Sequence, residues 1–272
     1  MMSENNNLPL VTIVTVVYNA ADTIENTILS VINQDYPNKE YIVIDGGSND
    51  GTVSVIKKYE EKLTKWISEK DEGIYDAMNK GIMLGHGDWI TFRNCGDLFA
   101  EKNSLTKVFS IPYDKDVMVV HGDCYRTCDY GYKIEHPFPL SRYKIEMPII
   151  HPATFIRLSL HKRWLFDKSY KVAADYNMIY RCIEAGLKFV YVGFPIVVFP
   201  KGGFSDQNWR IALADMMRIQ KRVYSLSGIV VFLFRYLYIL LHSKSTLITE
   251  KLFKSKHKKG WSPLPLPVKV YY

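Results

Sequence analysis

VTIVTVVYNAADTIENTILSVINQDYPNKEYIVIDGGSNDGT, residues 11–52, decides the fold. Val11–Val17 is a β-branched apolar run broken only by threonine, which predicts a strand buried on both faces. Asp22 reads as an N-cap with Glu25 three residues on, ahead of Ile24, Ile28, Val31 and Ile32 at helical spacing. Tyr41–Ile44 is a second apolar strand, stopped by Asp45-Gly46-Gly47. Strand, helix-length segment and strand in this order make a βαβ unit, and such units imply parallel strands.

The pattern continues outward. Thr52–Tyr59 predicts a helix, Trp66–Ser68 a short strand, Ile74–Leu84 a helix and Trp89–Phe92 another strand. Residues 110–147 are less regular: Val117–Val120 predicts a strand, and the segment around Pro137 and Pro139 a loop. Ala153–Ile156 follows as a strand, then a helix over Ala174–Ala185 ending at Gly186. Phe189–Val192 and Ile196–Phe199 read as two strands, Lys201-Gly202-Gly203 as a flexible loop, and Asp206–Ser225 as one long helix. There is no internal repeat.

Composition agrees with a packed α/β protein. Of 272 residues, 47% are hydrophobic and 23% charged, enough for a sizeable core without staples. Cys95, Cys124, Cys128 and Cys182 form no dense framework, and His121, Cys124 and Cys128 match no usual zinc spacing. The N-terminus, MMSENNNLPL, lacks the basic start and apolar stretch of a secretory signal, which predicts a cytoplasmic chain. The formal charge of +7 is unevenly spread. Residues 242–272 hold seven Lys and one Glu, so that segment carries +6 and the body about +1. Just before it, Gly228–Leu241 is apolar on all sides apart from Arg235. At 14 residues it is too short for the roughly 20 needed to cross a bilayer. It fits a helix packed on the core or one lying in a membrane interface; the flanking lysines favour the membrane surface, with the chain peripheral on the cytoplasmic face of the inner membrane.

Open parallel sheets bind ligands beyond the carboxyl ends of their strands. Tyr18 and Asn19 follow the first strand, Asp45 the second, and Asn94-Cys95-Gly96-Asp97 the Trp89–Phe92 strand. The chain has no GxGxxG after its first strand and no GxxxxGK[ST], which disfavours ordinary dinucleotide and P-loop sites. Phosphate charge would then call for another counterion, with Mn2+ or Mg2+ on a carboxylate as the candidate. On residue type alone, Asp45-Gly46-Gly47 is also a turn sequence, Asp175 an ordinary cap, His151 before Pro152 a structural polar residue, and Tyr75 and Tyr176 packing residues.

TVVYN (15–19), DGGSNDGT (45–52), WISEKDEGIYDAMNKG (66–81) and GDWITFRNCGD (87–97) together resemble family 2 glycosyltransferases of the GT-A fold. The branch most similar is that of bacterial surface-polysaccharide transferases. The resemblance spans about residues 8–215. It implies a Rossmann-like, mostly parallel mixed sheet flanked by helices, with a C-terminal helical segment. The expected organisation is a transferase domain over 8–225 (a nucleotide-binding half, 8–100, and an acceptor half, 101–225) and an apolar helix with a basic tail over 226–272. It further implies an inverting transfer from a nucleotide-sugar donor, a UDP-hexose, to a hydroxyl of a polyprenyl-diphosphate-linked saccharide.

By the same resemblance Thr15, Tyr18, Asn19, Asp45, Asp71, Asn79 and Lys80 match donor-binding positions, and Asp45 would accept from the base N3–H. Asp97 matches the last acid of the metal motif and Asp175 the general base. His151, Gly202 and Gly203 match segments bordering the acceptor. Two positions depart from the pattern. A DxD or DD pair is replaced by Cys95-Gly96-Asp97, leaving one carboxylate. Met78 stands where many relatives carry Arg, so Lys80 is expected to supply the charge. Two other function classes compete with this reading. A nucleotidyltransferase would release pyrophosphate and lacks its basic Gly-rich start here. A nucleic-acid binder is disfavoured because the positive charge is confined to the tail.

Overall fold

The structure, a computed structural model, describes residues 8–128, 131–221 and 262. Nine strands among these residues form one mixed sheet. β1 (Val11–Val17), β2 (Lys39–Asp45), β3 (Lys65–Ser68) and β4 (Trp89–Phe92) are mutually parallel in the order β3-β2-β1-β4. Val17 pairs with Asp45 and Asp45 with Ser68, so these strands end level with one another. The remainder is β5 (Leu98–Phe99), β6 (Val117–Cys128), β7 (Gly131–Glu135), β8 (Thr154–Arg157) and β9 (Lys188–Pro200). β8 joins β4 antiparallel, β6 joins β8 antiparallel, β9 lies parallel to β6, and β5 and β7 pair antiparallel with β9 and β6. The expected mostly parallel mixed sheet is thus present.

Helices cover both faces. Along β1, Val11, Ile13 and Val17 face one core and Val14 and Val16 the other, the alternation of a strand buried on both sides. The first core takes Ile24, Ile28 and Val31 of α1 (Ala21–Ile32), Ile56 of α2 (Thr52–Lys57) and Leu105, Val108 and Phe109 of α4 (Ser104–Phe109). The second takes Ala77, Met78 and Ile82 of α3 (Ile74–Leu84), Leu158 and Leu160 of α5 (Leu158–Arg163) and Met178, Ile179 and Cys182 of α6 (Ala174–Glu184). Each such side chain, fully buried, stabilises by roughly 1.5–3 kcal/mol, so the apolar spacing rather than any staple holds the layers together.

Four local expectations need correction. The N-cap of α1 is Ala20, and Asp22 lies inside the first turn. The orphan amides there are met from the 45–52 loop, with Ala21 N donating to Asp50 Oδ2 and Ala20 N to Thr52 Oγ1. The two strands read over 189–199 are one, β9, bent where its register with β6 shifts and Gly193 adopts φ +74°. The irregular 110–147 region contains the β6–β7 hairpin, legible only at its start because β7 mixes polar and aromatic residues. The long helix begins as two pieces, α7 (Phe204–Gln207) and α8 (Trp209–Ile219), broken at Asn208. The 226–272 segment, including the Gly228–Leu241 run, lies outside the described residues except for Ser262.

Candidate active site

The loops leaving β1–β4 gather on one edge of the sheet, and the 45–52 loop organises it. Asp45 is fully buried. Its carboxylate accepts from Gly47 N, Ser48 N, Ser48 Oγ and Ser68 Oγ, at 2.5–3.1 Å. Three of these donors meet Oδ2 and one meets Oδ1, so Asp45 shapes the loop while Oδ1 keeps one acceptor site. Asn19 pins the same loop to β1. It adopts φ 47°, donates its backbone N–H to Ser48 Oγ at 2.7 Å, and accepts from Asn49 N on Oδ1 at 3.0 Å. A non-glycine residue in that region is strained unless its surroundings hold it there.

Tyr18 projects from this edge with 64% of its surface exposed. Gly46 lies between the Tyr18 ring and the Asp71 carboxylate: a Cβ added at Gly46 would stand 2.6 Å from Asp71 Oδ2 and 3.4 Å from Tyr18 Cδ2. Glycine at 46 therefore lets an aromatic ring and a carboxylate converge on one backbone corner. The other donor-side candidates point elsewhere. Thr15 is buried in the sheet, its hydroxyl 2.9 Å from Tyr41 Oη. Asn79 clips α3 to Phe166 with two hydrogen bonds of 2.9 Å. Lys80 is spent on Glu69 at 2.8 Å and lies 3.8 Å from Asp76, and Met78 is buried.

Asp97 sits in a turn after β4, closed by Asp97 N donating to Asn94 O. It is buried, with the Asn94 backbone and the charge of Arg93 favouring its ionised form. Burial pushes its pKa up to about 7, against the attraction of Arg93. Asn94 Oδ1, in the same turn, is buried with no hydrogen-bond partner among the described residues. Two hard oxygens on one turn suit Mg2+ or Mn2+ provided that a ligand's phosphate oxygens and water complete the shell. Among the described residues no three His, Cys, Asp or Glu side chains group to hold a metal by themselves.

Arg93, which sequence reasoning missed, ties this turn to the other half of the edge. It is fully buried, with its guanidinium 4.0 Å over Phe99, and Nη1 donates to Thr91 Oγ1, Phe92 O and Pro152 O. The last bond holds the 3₁₀ turn His151–Ala153. His151 stacks on Phe92 at 5.7 Å, and burial lowers its pKa, so the imidazole is neutral. Its Nδ1 stands 4.0 Å from Asp175 Oδ2, too far for a hydrogen bond.

Asp175 occupies the first turn of α6, where the helix dipole favours an anion. Oδ1 accepts from Tyr176 N at 2.9 Å and lies 3.0 Å from the Tyr75 hydroxyl, which is also 2.7 Å from Val172 O. Oδ2 has no donor among the described residues, and the side chain is a quarter exposed. Asp175 and His151 line one cleft of about 240 Å³ with Arg126, His136, Phe199 and Ser205. Gly202 and Gly203 lie just outside it: Gly202 N donates to Asp206 Oδ2, and Asp206 pairs with Arg126 at 2.8 Å. Arg126 and His136 carry no readable signal, since each stands in a segment whose pattern speaks only of strand or loop, and Tyr75 reads from the sequence as a packing residue.

Chemically, the edge offers an exposed ring beside a carboxylate, a hard-oxygen turn and an ordered carboxylate with one free oxygen. Residues 12–168 match the family model described as Glycosyl transferase family 2. An uncharacterized glycosyltransferase of Mycobacterium tuberculosis is 31% identical over 64% of this chain and 68% of its own length. A PGL/p-HBAD biosynthesis glycosyltransferase of Mycobacterium bovis is 27% identical over 65% of this chain and 70% of its own length. Among solved structures, the mannosyltransferase PcManGT of Pyrobaculum calidifontis in complex with GDP-Man and Mn2+ superposes with a TM-score of 0.62, at 17% identity, over 92% of this chain and 82% of that one. S. aureus TarS 1–349 in complex with UDP gives 0.60, at 17% identity, over 91% and 75%.

Proposed function

Because the chain belongs to glycosyl transferase family 2, with the GT-A fold, we propose that it transfers a hexose from a UDP-sugar to a hydroxyl of a lipid-linked saccharide, inverting the anomeric centre. The observation that carries this reading is Asp175: one carboxylate oxygen is anchored and the other opens into a cleft on the edge where the strands end. That is the arrangement of a general base. Oδ2 takes the proton of the acceptor hydroxyl as that oxygen attacks the anomeric carbon, and the nucleoside diphosphate leaves from the opposite face. His151, neutral and stacked on Phe92, stands beside Oδ2 without neutralising it.

On the donor side, Tyr18 offers its ring to the base and Asp71 an acceptor beside it, while Asp45 and Asn19 hold the loop that frames them. Asp97, with Asn94, would hold a divalent cation, which when bound neutralises charge on the departing diphosphate. Residues 8–225 form the transferase domain and 226–272 a membrane-facing segment in this reading, the enzyme being peripheral at the inner membrane in surface polysaccharide (O-antigen, capsule or exopolysaccharide) assembly. The relatives support the transferase class. The test is a screen of UDP- and GDP-sugars with Mn2+ or Mg2+, reading nucleoside-diphosphate release. Release from a UDP-hexose is expected. Release from GDP-sugars alone would overturn the donor assignment, and pyrophosphate release from nucleoside triphosphates would favour a nucleotidyltransferase.

A further inference from the structure

Asp175 is held from behind by α8, the last of the described helices. Asp215 of this helix is buried, with 4% of its surface exposed. Its Oδ2 accepts from Val172 N at 2.9 Å and more distantly from Ala173 N at 3.4 Å. These are amides of the turn that leads into α6, where Ala173 is the N-cap. Arg218, one turn further along α8, lies 3.5 Å from Asp215 Oδ1, donates to Ser169 O at 3.2 Å and stands 4.8 Å over the Tyr170 ring. Gln220 Nε2 donates to the Tyr176 hydroxyl at 2.7 Å, and Ile219 packs with Ala173 and Tyr176. The helix thus grips the chain on both sides of Asp175, at 172–173 before it and at Tyr176 after it.

A buried carboxylate is a costly way to satisfy two amides, because desolvating the charge offsets much of the gain from its hydrogen bonds. A neutral side chain or water satisfies the start of a helix without that cost. What a carboxylate adds is charge-assisted bonds, shorter and roughly twice as strong as neutral ones. The turn it holds carries Val172 O, which accepts from the Tyr75 hydroxyl at 2.7 Å, and the same hydroxyl lies 3.0 Å from Asp175 Oδ1. A hydroxyl has one proton to donate, so Val172 O and Asp175 Oδ1 compete for it. A shift of Val172 therefore alters the bond that Asp175 receives.

We propose that Asp215 is a positioning residue for the general base: through the 172–173 turn and Tyr75 it sets where Asp175 Oδ2 stands, and Gln220 braces the other flank through Tyr176. This role rests on the reading of Asp175 as the base. It involves no contact with donor or acceptor, so its loss should show in turnover and not in donor binding. Misplacing a reacting group by about 1 Å through a change away from the chemistry costs on the order of 10²-fold.

The test uses UDP-glucose and UDP-galactose with Mn2+, in water and with n-octyl β-D-glucoside as a surrogate acceptor. UDP release is read per molecule competent to bind UDP, counted by titration calorimetry. Asp215→Ala should lower turnover about 10- to 100-fold at unchanged UDP affinity. Asp215→Asn keeps an oxygen for Val172 N and should stay within about 3-fold of the wild type. Gln220→Ala leaves both amides satisfied and should lower turnover about 3- to 10-fold, which serves as the measurement if the alanine variant of Asp215 does not fold. In an Asp175→Asn background Asp215→Ala should cost nothing further, whereas a purely structural loss would persist there. Undiminished turnover of Asp215→Ala, or of Gln220→Ala in its place, would overturn the proposal. So would an Asp215→Asn variant as slow as the alanine one, or a further fall in the double variant. A wild type that releases no UDP, or an Asp175→Asn variant as fast as wild type, refutes the base and this role with it. An impaired Asp175→Asn beside an unimpaired Asp215→Ala refutes the positioning alone.

Discussion

A carboxylate works as a base when it is oriented but not consumed, and Asp175 meets both conditions. The Tyr176 amide and the Tyr75 hydroxyl fix Oδ1, and Oδ2 is left to the cleft. Asp175→Asn keeps the size and the anchoring acceptor but cannot take a proton. It should lower turnover about 10²- to 10⁴-fold while leaving UDP-sugar affinity, measured by titration calorimetry, nearly unchanged. Asp45 is the opposite case, a carboxylate engaged by Gly47, Ser48 and Ser68 to hold its own loop. Asp97 lies between them, buried in the turn after β4. Asp97→Ala should weaken UDP binding in the presence of Mn2+ about 10- to 100-fold and leave metal-free binding alone. An equal loss with and without the ion would mean that Asp97 only shapes the turn.

At the scale of elements, the 45–52 loop does two things at once. Asp50 and Thr52 satisfy the amide groups at the start of α1, and Asp45 holds the corner where Tyr18 and Asp71 meet. The pairing of α3 with β1 is equally close. A Cβ built on Gly81 would overlap the Val14 Cγ1 methyl. Gly→Ala in a helix ordinarily gains up to about 1 kcal/mol. Here the clash is with a β-branched side chain on a central strand, which has no free rotamer to move into. Gly81→Ala should therefore destabilise by about 1–3 kcal/mol in denaturant unfolding, and a net gain would show that α3 can slide on the sheet.

For the whole molecule, burial of titratable groups sets the response to acid. His121 and His161 are held at about 4, below their ordinary 6.5, chiefly by burial. His121 Nδ1 and His161 Nε2 are buried without partners. Between those values the unfolded chain binds protons that the folded one refuses, so their contribution is intact above about pH 6.5 and lost as pH falls toward 4. Each should cost roughly 1–2 kcal/mol by pH 5. Asp97 opposes them: with its pKa raised to about 7 it regains stability on protonation, by roughly 2 kcal/mol over the same interval. The two histidines outweigh one aspartate, so unfolding measured at pH 7 and pH 5 should show a net loss of about 1–2 kcal/mol. Asp97→Asn should steepen that fall, and His121→Phe should flatten it.

Residues 11–92 settled the parallel half of the sheet on their own, because buried parallel strands and amphipathic helices must carry uninterrupted or 3.6-spaced apolar residues whatever their partners. Those periodicities also placed Tyr18, Asn19, Asp45 and Asp97 after strand ends, hence on one edge. Which atoms remain open there is a property of packing. Asp45 engaged by four donors, Thr15 turned to Tyr41, Asn79 tied to Phe166 and Lys80 drawn to Glu69 depend on neighbours up to 87 residues away. The β6–β7 hairpin, the Arg93 bridge to Pro152 and the meeting of Tyr75 with Asp175 across 100 positions likewise exist only once the sheet has closed. A pattern along the chain records which face of an element is apolar; it carries no record of which distant donor will reach a given oxygen.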